Sequence, residues 1–157
     1  MEDESVDESL SCSLGRLDLT RRQQFYETGQ FSDLKIICQN RTFNAHVFVM
    51  VEASDHFSTM LSTTNFIEGK TREITFKDTD PELLEKVIRF IYGFTIHFET
   101  VEQVFKMALL ADMFWLQPLM DACVGVMDRM LTAENALEMY TLARQHPLPC
   151  FAIPEWA

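Results

Sequence analysis

Apolar and polar positions alternate from Asp33 to Asn44, which predicts two strands, Leu34 to Cys38 and Thr42 to Phe43, joined through Gln39-Asn40-Arg41. A β-hairpin is therefore expected. Ahead of it, Leu17, Leu19, Phe25 and Tyr26 allow an amphipathic helix over 17–28, with Gly29 as its stop. The apolar face of that helix is sparse, so it must pack on something larger. After the hairpin, His46 to Met50 is apolar and β-rich at one end, and Phe57, Met60 and Leu61 then recur at helical spacing with Ser54 as the N-cap. Gly69 breaks the chain, and Glu73-Ile74-Thr75-Phe76 alternates as a third strand.

Beyond Lys77 the period is helical throughout. Asp80-Pro81 places a capping side chain before a proline at the first helical position, and Leu84, Val87, Ile88 and Ile91 follow on one face. Thr100 and Gln103 form a capping box ahead of Val104, Phe105, Ala108, Leu109 and Ala111, a helix so apolar that it must be buried. Pro118 opens a further helix with Leu119, Cys123, Val126 and Met130, and Thr132 caps a last one carrying Leu137, Tyr140 and Leu142. His146-Pro147-Leu148-Pro149 ends regular structure. Three short strands inside a set of helices predict an α+β domain.

Composition narrows the function. With 157 residues, 47% hydrophobic content, 13 Phe and 9 Met, the chain can close one core. Residues 1 to 13 carry five acidic side chains and no basic one, the composition of a solvated tail. The net charge of −11 argues against a nucleic-acid partner, which needs clustered Lys and Arg, and suits a basic protein partner or none in particular. No apolar run approaches the roughly 20 residues of a membrane span, and the acidic start is unlike a signal peptide, so an intracellular location, cytoplasmic or nuclear, is expected. Cys12, Cys38, Cys123 and Cys150 lie far apart, as free thiols do, and the four histidines show no ligand spacing. Neither a metal nor a cofactor is expected. No GxSxG elbow surrounds a serine, and no GxxxxGK[ST] or GxGxxG cradle is present, so an enzyme is not expected either.

Phe31-Ser32-Asp33-Leu34, Phe43-Asn44-Ala45-His46, then Ser54, Phe57 and Met60, resemble the opening signature of BTB (POZ) domains. Ile74, Phe90-Ile91-Tyr92, Ala111-Asp112, Leu116, Leu119 and Cys123 are similar to the rest of it, so the match runs from about Phe31 to Leu131. The resemblance implies a helical cluster capped by a small sheet of three strands or slightly more, used for dimerisation and partner recruitment. The implied organisation is a disordered acidic tail over 1–16, the BTB domain over 17–131, and over 132–157 the start of a helical extension. Leu17, Leu19, Phe25 and Tyr26 are then the candidate homodimer interface, on the extra N-terminal helix of the dimeric class. Asp33, His46, Ser54, Phe57 and Tyr92 are structural signature positions, with His46 read as a hydrogen-bonded structural histidine.

Two partners fit that resemblance. In cullin-RING ubiquitin ligase adaptors a hydrophobic residue, any residue and a Glu stand before the third strand, and here Phe66-Ile67-Glu68 does so. Phe66 would be the aromatic anchor, Glu68 would meet a basic group or fix the loop, and Trp115 on the following helical pair is a second candidate cullin contact. In transcriptional repressors, Asp33 pairs with a basic residue directly after the histidine to support a corepressor groove. Val47 occupies that place, so this reading loses weight and Asp33 should find backbone donors or water instead. A self-associating scaffold with no link to a ligase is a third possibility. No kelch, MATH or ankyrin pattern is present to recruit a substrate.

Overall fold

The computed structural model describes residues 19–62 and 67–145. In chain order the elements are α1 (Leu19–Thr28), β1 (Leu34–Cys38), β2 (Arg41–Ala45), α2 (Val47–Ala53), α3 (Asp55–Ser62), α4 (Ile67–Thr71), β3 (Glu73–Phe76), α5 (Pro81–Ile91), α6 (Val101–Met113), α7 (Gln117–Met130) and α8 (Ala136–Gln145). This is the α+β architecture that the periods predict. The acidic tail and His146 onward lie outside the described residues.

The sheet has the order β2-β1-β3, with β1 antiparallel to β2 and parallel to β3. Alternation puts Leu34, Ile36, Cys38, Phe43, Ala45 and Ile74 on one buried face. The hairpin turn is tighter than expected. Cys38 pairs with Arg41, so only Gln39 and Asn40 are in the loop, and β2 runs on to Ala45. A two-residue loop needs a residue at positive φ to match strand twist, and Gln39 supplies it at φ 53°.

Helix α6 carries Val104, Phe105, Met107, Ala108 and Ala111 into the centre of the core and is buried as its composition demands. Helix α5 lays Leu83, Leu84, Val87 and Ile88 on the core, and α7 covers it with Leu119, Cys123 and Met127. The caps expected at Asp80 and Ser54 form. Asp80 accepts from Glu82 N–H at 3.0 Å with Pro81 behind it, and Ser54 Oγ accepts from Phe57 N–H at 3.3 Å.

Four expectations are corrected. His46 to Met50 is not β-rich structure, because α2 begins at Val47 and Met50 alone of its residues is fully buried, so the run of valines reads as a strand only in isolation. Gly69 does not break the chain: it lies within α4, and the left-handed residue that ends this helix is Arg72, at φ 58°, its N–H donating to Glu68 C=O at 2.9 Å. In the capping box Thr100 accepts from Gln103 N–H at 3.2 Å, but Gln103 Oε1 reaches past Thr100 to Glu99 N–H at 2.9 Å. Thr132 does not cap α8 directly. It exchanges bonds with Asn135, Thr132 N–H to Asn135 Oδ1 at 2.8 Å and Asn135 N–H to Thr132 Oγ1 at 3.2 Å, and α8 starts one residue later.

Candidate functional site

Three groups of residues define the surfaces and their supports. The first is a buried polar anchor. Tyr92, the C-cap of α5 and fully buried, accepts from His46 N–H at 2.9 Å and meets His46 Nδ1 at 2.7 Å, while His46 Nε2 meets Gln30 C=O at 2.7 Å. The roles close on one tautomer: Nε2–H donates to Gln30, and the Tyr92 hydroxyl donates to bare Nδ1. His46 is thereby a structural histidine that ties the segment after α1 to α5. Burial pushes the Tyr92 phenol up to about 12 against the lowering effect of the His46 backbone bond. Ser54 donates to Phe114 C=O, and Phe57 packs on Phe114 with ring centroids 5.1 Å apart, so α3 is pinned to the end of α6.

Asp33 resolves the question raised by Val47. Its Oδ1 accepts from Val47 N–H at 2.8 Å, at the first turn of α2, where His46 offers no side-chain cap. A carboxylate on the orphan donors of a helix N-terminus is favourable for charge as well as for hydrogen bonding. The partner is a backbone group, so no basic side chain at residue 47 is required.

The second group faces outward around α1 and α2. Phe25 is half-buried and meets Phe31 edge-on at 5.5 Å, and Phe31 is 73% exposed at φ 62°. Phe48 on α2 is 74% exposed. Helix α1 is tied to α2 by Arg22 and Glu52 at 3.6 Å, and to α5 by Arg89 and Glu27 at 3.7 Å. Tyr26, partly buried, also packs within the domain. Its ring lies 4.8 Å from that of Tyr92 and 6.1 Å from that of Phe94, and burial, helped by Glu85, raises its phenol to about 12. Leu19 opens α1, and Leu17 lies outside the described residues.

The third group comprises residues at the end of α6, at the start of α3 and on α4. Trp115 is 61% exposed and sits at φ 54°. Its N–H donates to Asp112 C=O at 3.2 Å and Leu116 N–H donates to Ala111 C=O at 2.8 Å, the two bonds of a Schellman motif with tryptophan in the left-handed position that glycine usually takes. His56, at the start of α3, braces the indole edge-on at 5.5 Å, and burial lowers the His56 pKa. A hollow of about 200 Å³ beside the indole is lined by Asp112, Gln117 and Met120. Helix α4 follows from the far end of α3, with Ile67 74% exposed and Glu68 half-buried. Ile67 and Glu68 are thus on a helical turn, not in a loop, and Phe66 lies outside the described residues.

Phe31 and Phe48 escaped the sequence reading as surface residues. Phe31 entered only as part of a signature, and Phe48 was hidden by the β-like reading of its segment. With α2 known to be helical, Phe48 lies two positions from buried Met50 and therefore on the opposite side. Among the described residues no group of three His, Cys, Asp or Glu side chains is placed to hold a metal ion, and no helix is long and apolar enough to cross a membrane.

Comparison with known proteins bears on the fold and the family. The chain is 29% identical over 123 residues to Kelch-like protein 7 of Gallus gallus, an alignment covering 78% of the chain and 20% of that protein. It is 28% identical over 125 residues to Kelch-like protein 40 of Xenopus tropicalis, again over 78% of the chain and 20% of the relative. The chain therefore spans about one fifth of the length of these curated relatives. Among solved structures, the BTB domain of zebrafish PATZ1 superposes with a TM-score of 0.60 at 17% identity, covering 71% of this chain and 88% of that one, which speaks for the fold alone. The BTB/POZ domain family model matches residues 22–144, so the chain belongs to the BTB/POZ domain family of protein-interaction modules.

Proposed function

We propose that this domain is a homodimerising adaptor that docks a cullin scaffold through Trp115, His56 and the Phe66-Ile67-Glu68 sequence motif. The observation that carries the reading is Trp115. A left-handed backbone costs an L-residue about 1–2 kcal/mol, and a side chain kept there, exposed and braced by His56, is held in place before any partner arrives. A large aromatic with little freedom left to lose is the kind of group that dominates an interface. The exposed carboxylates of Asp55 and Asp112 on the neighbouring positions favour a basic partner surface. Glu68, which no ion pair among the described residues engages, is available to a cation on the partner.

Self-association is assigned to the second group, Phe25, Phe31 and Phe48, with Leu17 and Leu19 as further members. An interface of roughly 1,600 Å² is expected for a stable dimer. Sedimentation of the chain at micromolar concentration should show a dimer, and a monomer there would overturn the assignment. For the cullin reading the measurement is calorimetry with a purified cullin N-terminal region. Phe66→Ala and Trp115→Ala should each weaken binding by about thirtyfold, which corresponds to about 2 kcal/mol, and Glu68→Ala by less. Absence of binding by the unmutated dimer at concentrations on the order of tens of micromolar would leave a self-associating scaffold with a different partner.

A further inference from the structure

Arg72 stands where the chain passes from α4 into β3, and its N–H, its C=O and its side chain engage three different elements. The N–H donates to Glu68 C=O at 2.9 Å and closes the last turn of α4. The C=O accepts from Lys35 N–H at 3.0 Å, where the parallel pairing of β1 with β3 begins. The guanidinium donates to Leu61 C=O at 3.1 Å, in the last turn of α3. One residue thus joins α4, the central strand of the sheet and the end of α3.

The backbone there lies at φ 58°, a conformation that glycine adopts freely and a residue with a Cβ does not. Glycine would ease the turn and keep both backbone bonds, so the arginine is explained by what its side chain does. A cation on a carbonyl in the last turn of a helix is favourable for charge as well as for hydrogen bonding. Among the described residues no carboxylate forms an ion pair with Arg72, so no acidic group competes with Leu61 for the guanidinium. Helix α4 has only five residues, too few to hold a helix in water by their own hydrogen bonds, and its place depends on ties of this kind. It carries Ile67, which is 74% exposed, and Glu68.

We propose that Arg72 is the positioning residue of the docking motif: by bonding Leu61 it fixes α4, and with it Ile67 and Glu68, against the end of α3. This role rests on the cullin-docking reading above. The test uses the full chain with Arg72→Ala, Arg72→Gly and Arg72→Lys. Hydrogen exchange of the residue-72 amide in the free protein reads the tie itself, and both deletions should lower its protection factor about tenfold. Calorimetry with the purified cullin N-terminal region should show both deletions weakening binding by about tenfold. Arg72→Lys, which keeps a cationic donor of similar reach, should hold both readings within about threefold of the parent. Arg72→Gly should melt within about 3 °C of the parent, because relief of the left-handed backbone offsets the lost bond.

Unchanged protection in the alanine and glycine variants would overturn the proposal, and weakened binding with unchanged protection would make Arg72 a direct partner contact instead. A loss confined to glycine would assign the effect to backbone freedom and overturn it as well, as would a lysine variant that restores neither reading. An unmutated chain that does not bind the cullin fragment would overturn the docking reading and the positioning role with it, while lowered protection in the deletions would still establish the tie between α4 and α3.

Discussion

Replacing Trp115 by glycine and, separately, by alanine divides backbone strain from side-chain recognition. Both changes delete the indole, its edge contact with His56 and its exposed surface. They differ in what they leave at φ 54°. Alanine still pays the left-handed penalty of about 1–2 kcal/mol, while glycine pays none there but gives up about 0.4–1 kcal/mol through the greater freedom of its unfolded chain. The net preference for glycine is about 0.5–1 kcal/mol, which for a domain of this size moves the melting temperature by roughly 2–5 °C. Trp115→Gly should therefore melt above Trp115→Ala by that interval, and both should lose partner binding alike. Thermal denaturation by circular dichroism and calorimetric titration with the cullin fragment supply the two readouts. Equal melting temperatures would mean that the Schellman turn is not strained by its side chain. Binding preserved in the glycine variant would remove the indole from the interface.

Tyr92→Phe should cost about 1–3 kcal/mol in denaturant melts, because it strands the His46 N–H and ring nitrogen in a half-buried site without changing the packed volume. Val47→Lys should shift stability by less than about 0.5 kcal/mol, since Asp33 bonds the backbone of residue 47; a loss of several kcal/mol would show that the valine side chain is what the site requires. Asp33→Ala should cost about 0.5–2 kcal/mol, as loss of a helix N-cap does, measured by the same melts. The pH dependence has a definite sign. His56 is held below its ordinary pKa by burial, so the unfolded chain binds the proton first; stability is complete above the unfolded value of about 6.5 and declines as pH falls below it. Melting temperatures measured from pH 7.5 down to 5.5 should fall less in His56→Gln than in the parent, and parallel curves would refute the assignment.

The parts of this fold that were legible in sequence are those in which one period dominates. Alternation located β1 and β3, and helical spacing located α5 to α7 with their caps at Asp80 and Thr100, because those segments bury one face against a single core. The segment over α2 was misread because Val47, Val49 and Val51 flank Phe48 and Met50 in a run with no polar phase, and β-branched residues in so short a stretch satisfy either period. Tertiary contact decided it: Asp33, fourteen residues earlier, supplies the helix-starting acceptor that the local sequence lacks. The contacts of Tyr26 within the domain were not legible for a related reason. Nothing local reveals that Tyr92 and Phe94 arrive from α5 and the turn after it to meet its ring.

The candidate interaction surfaces were the least legible part, and the cause is backbone geometry. Sequence reading finds chain reversals through glycine, but at Phe31, Gln39, Arg72 and Trp115 this chain turns through left-handed residues that carry side chains. Two of the four are aromatic, and those two are exposed, Phe31 beside Phe25 and Trp115 beside His56. Glycine at either place would ease the turn and give up one edge-on contact, with Phe25 or with His56. The cost of a left-handed aromatic is repaid only if its ring is used, and an exposed ring is used by another molecule. Phe31 and Trp115 thus mark two faces of one domain by the same physical sign, one assigned to a second copy of the chain and one to a scaffold. The inference is testable as a pair. Phe31→Gly should weaken self-association and leave scaffold binding per protomer within about twofold, Trp115→Gly should do the reverse, and a variant that lost both activities at an unchanged melting temperature would show that the two faces are one site.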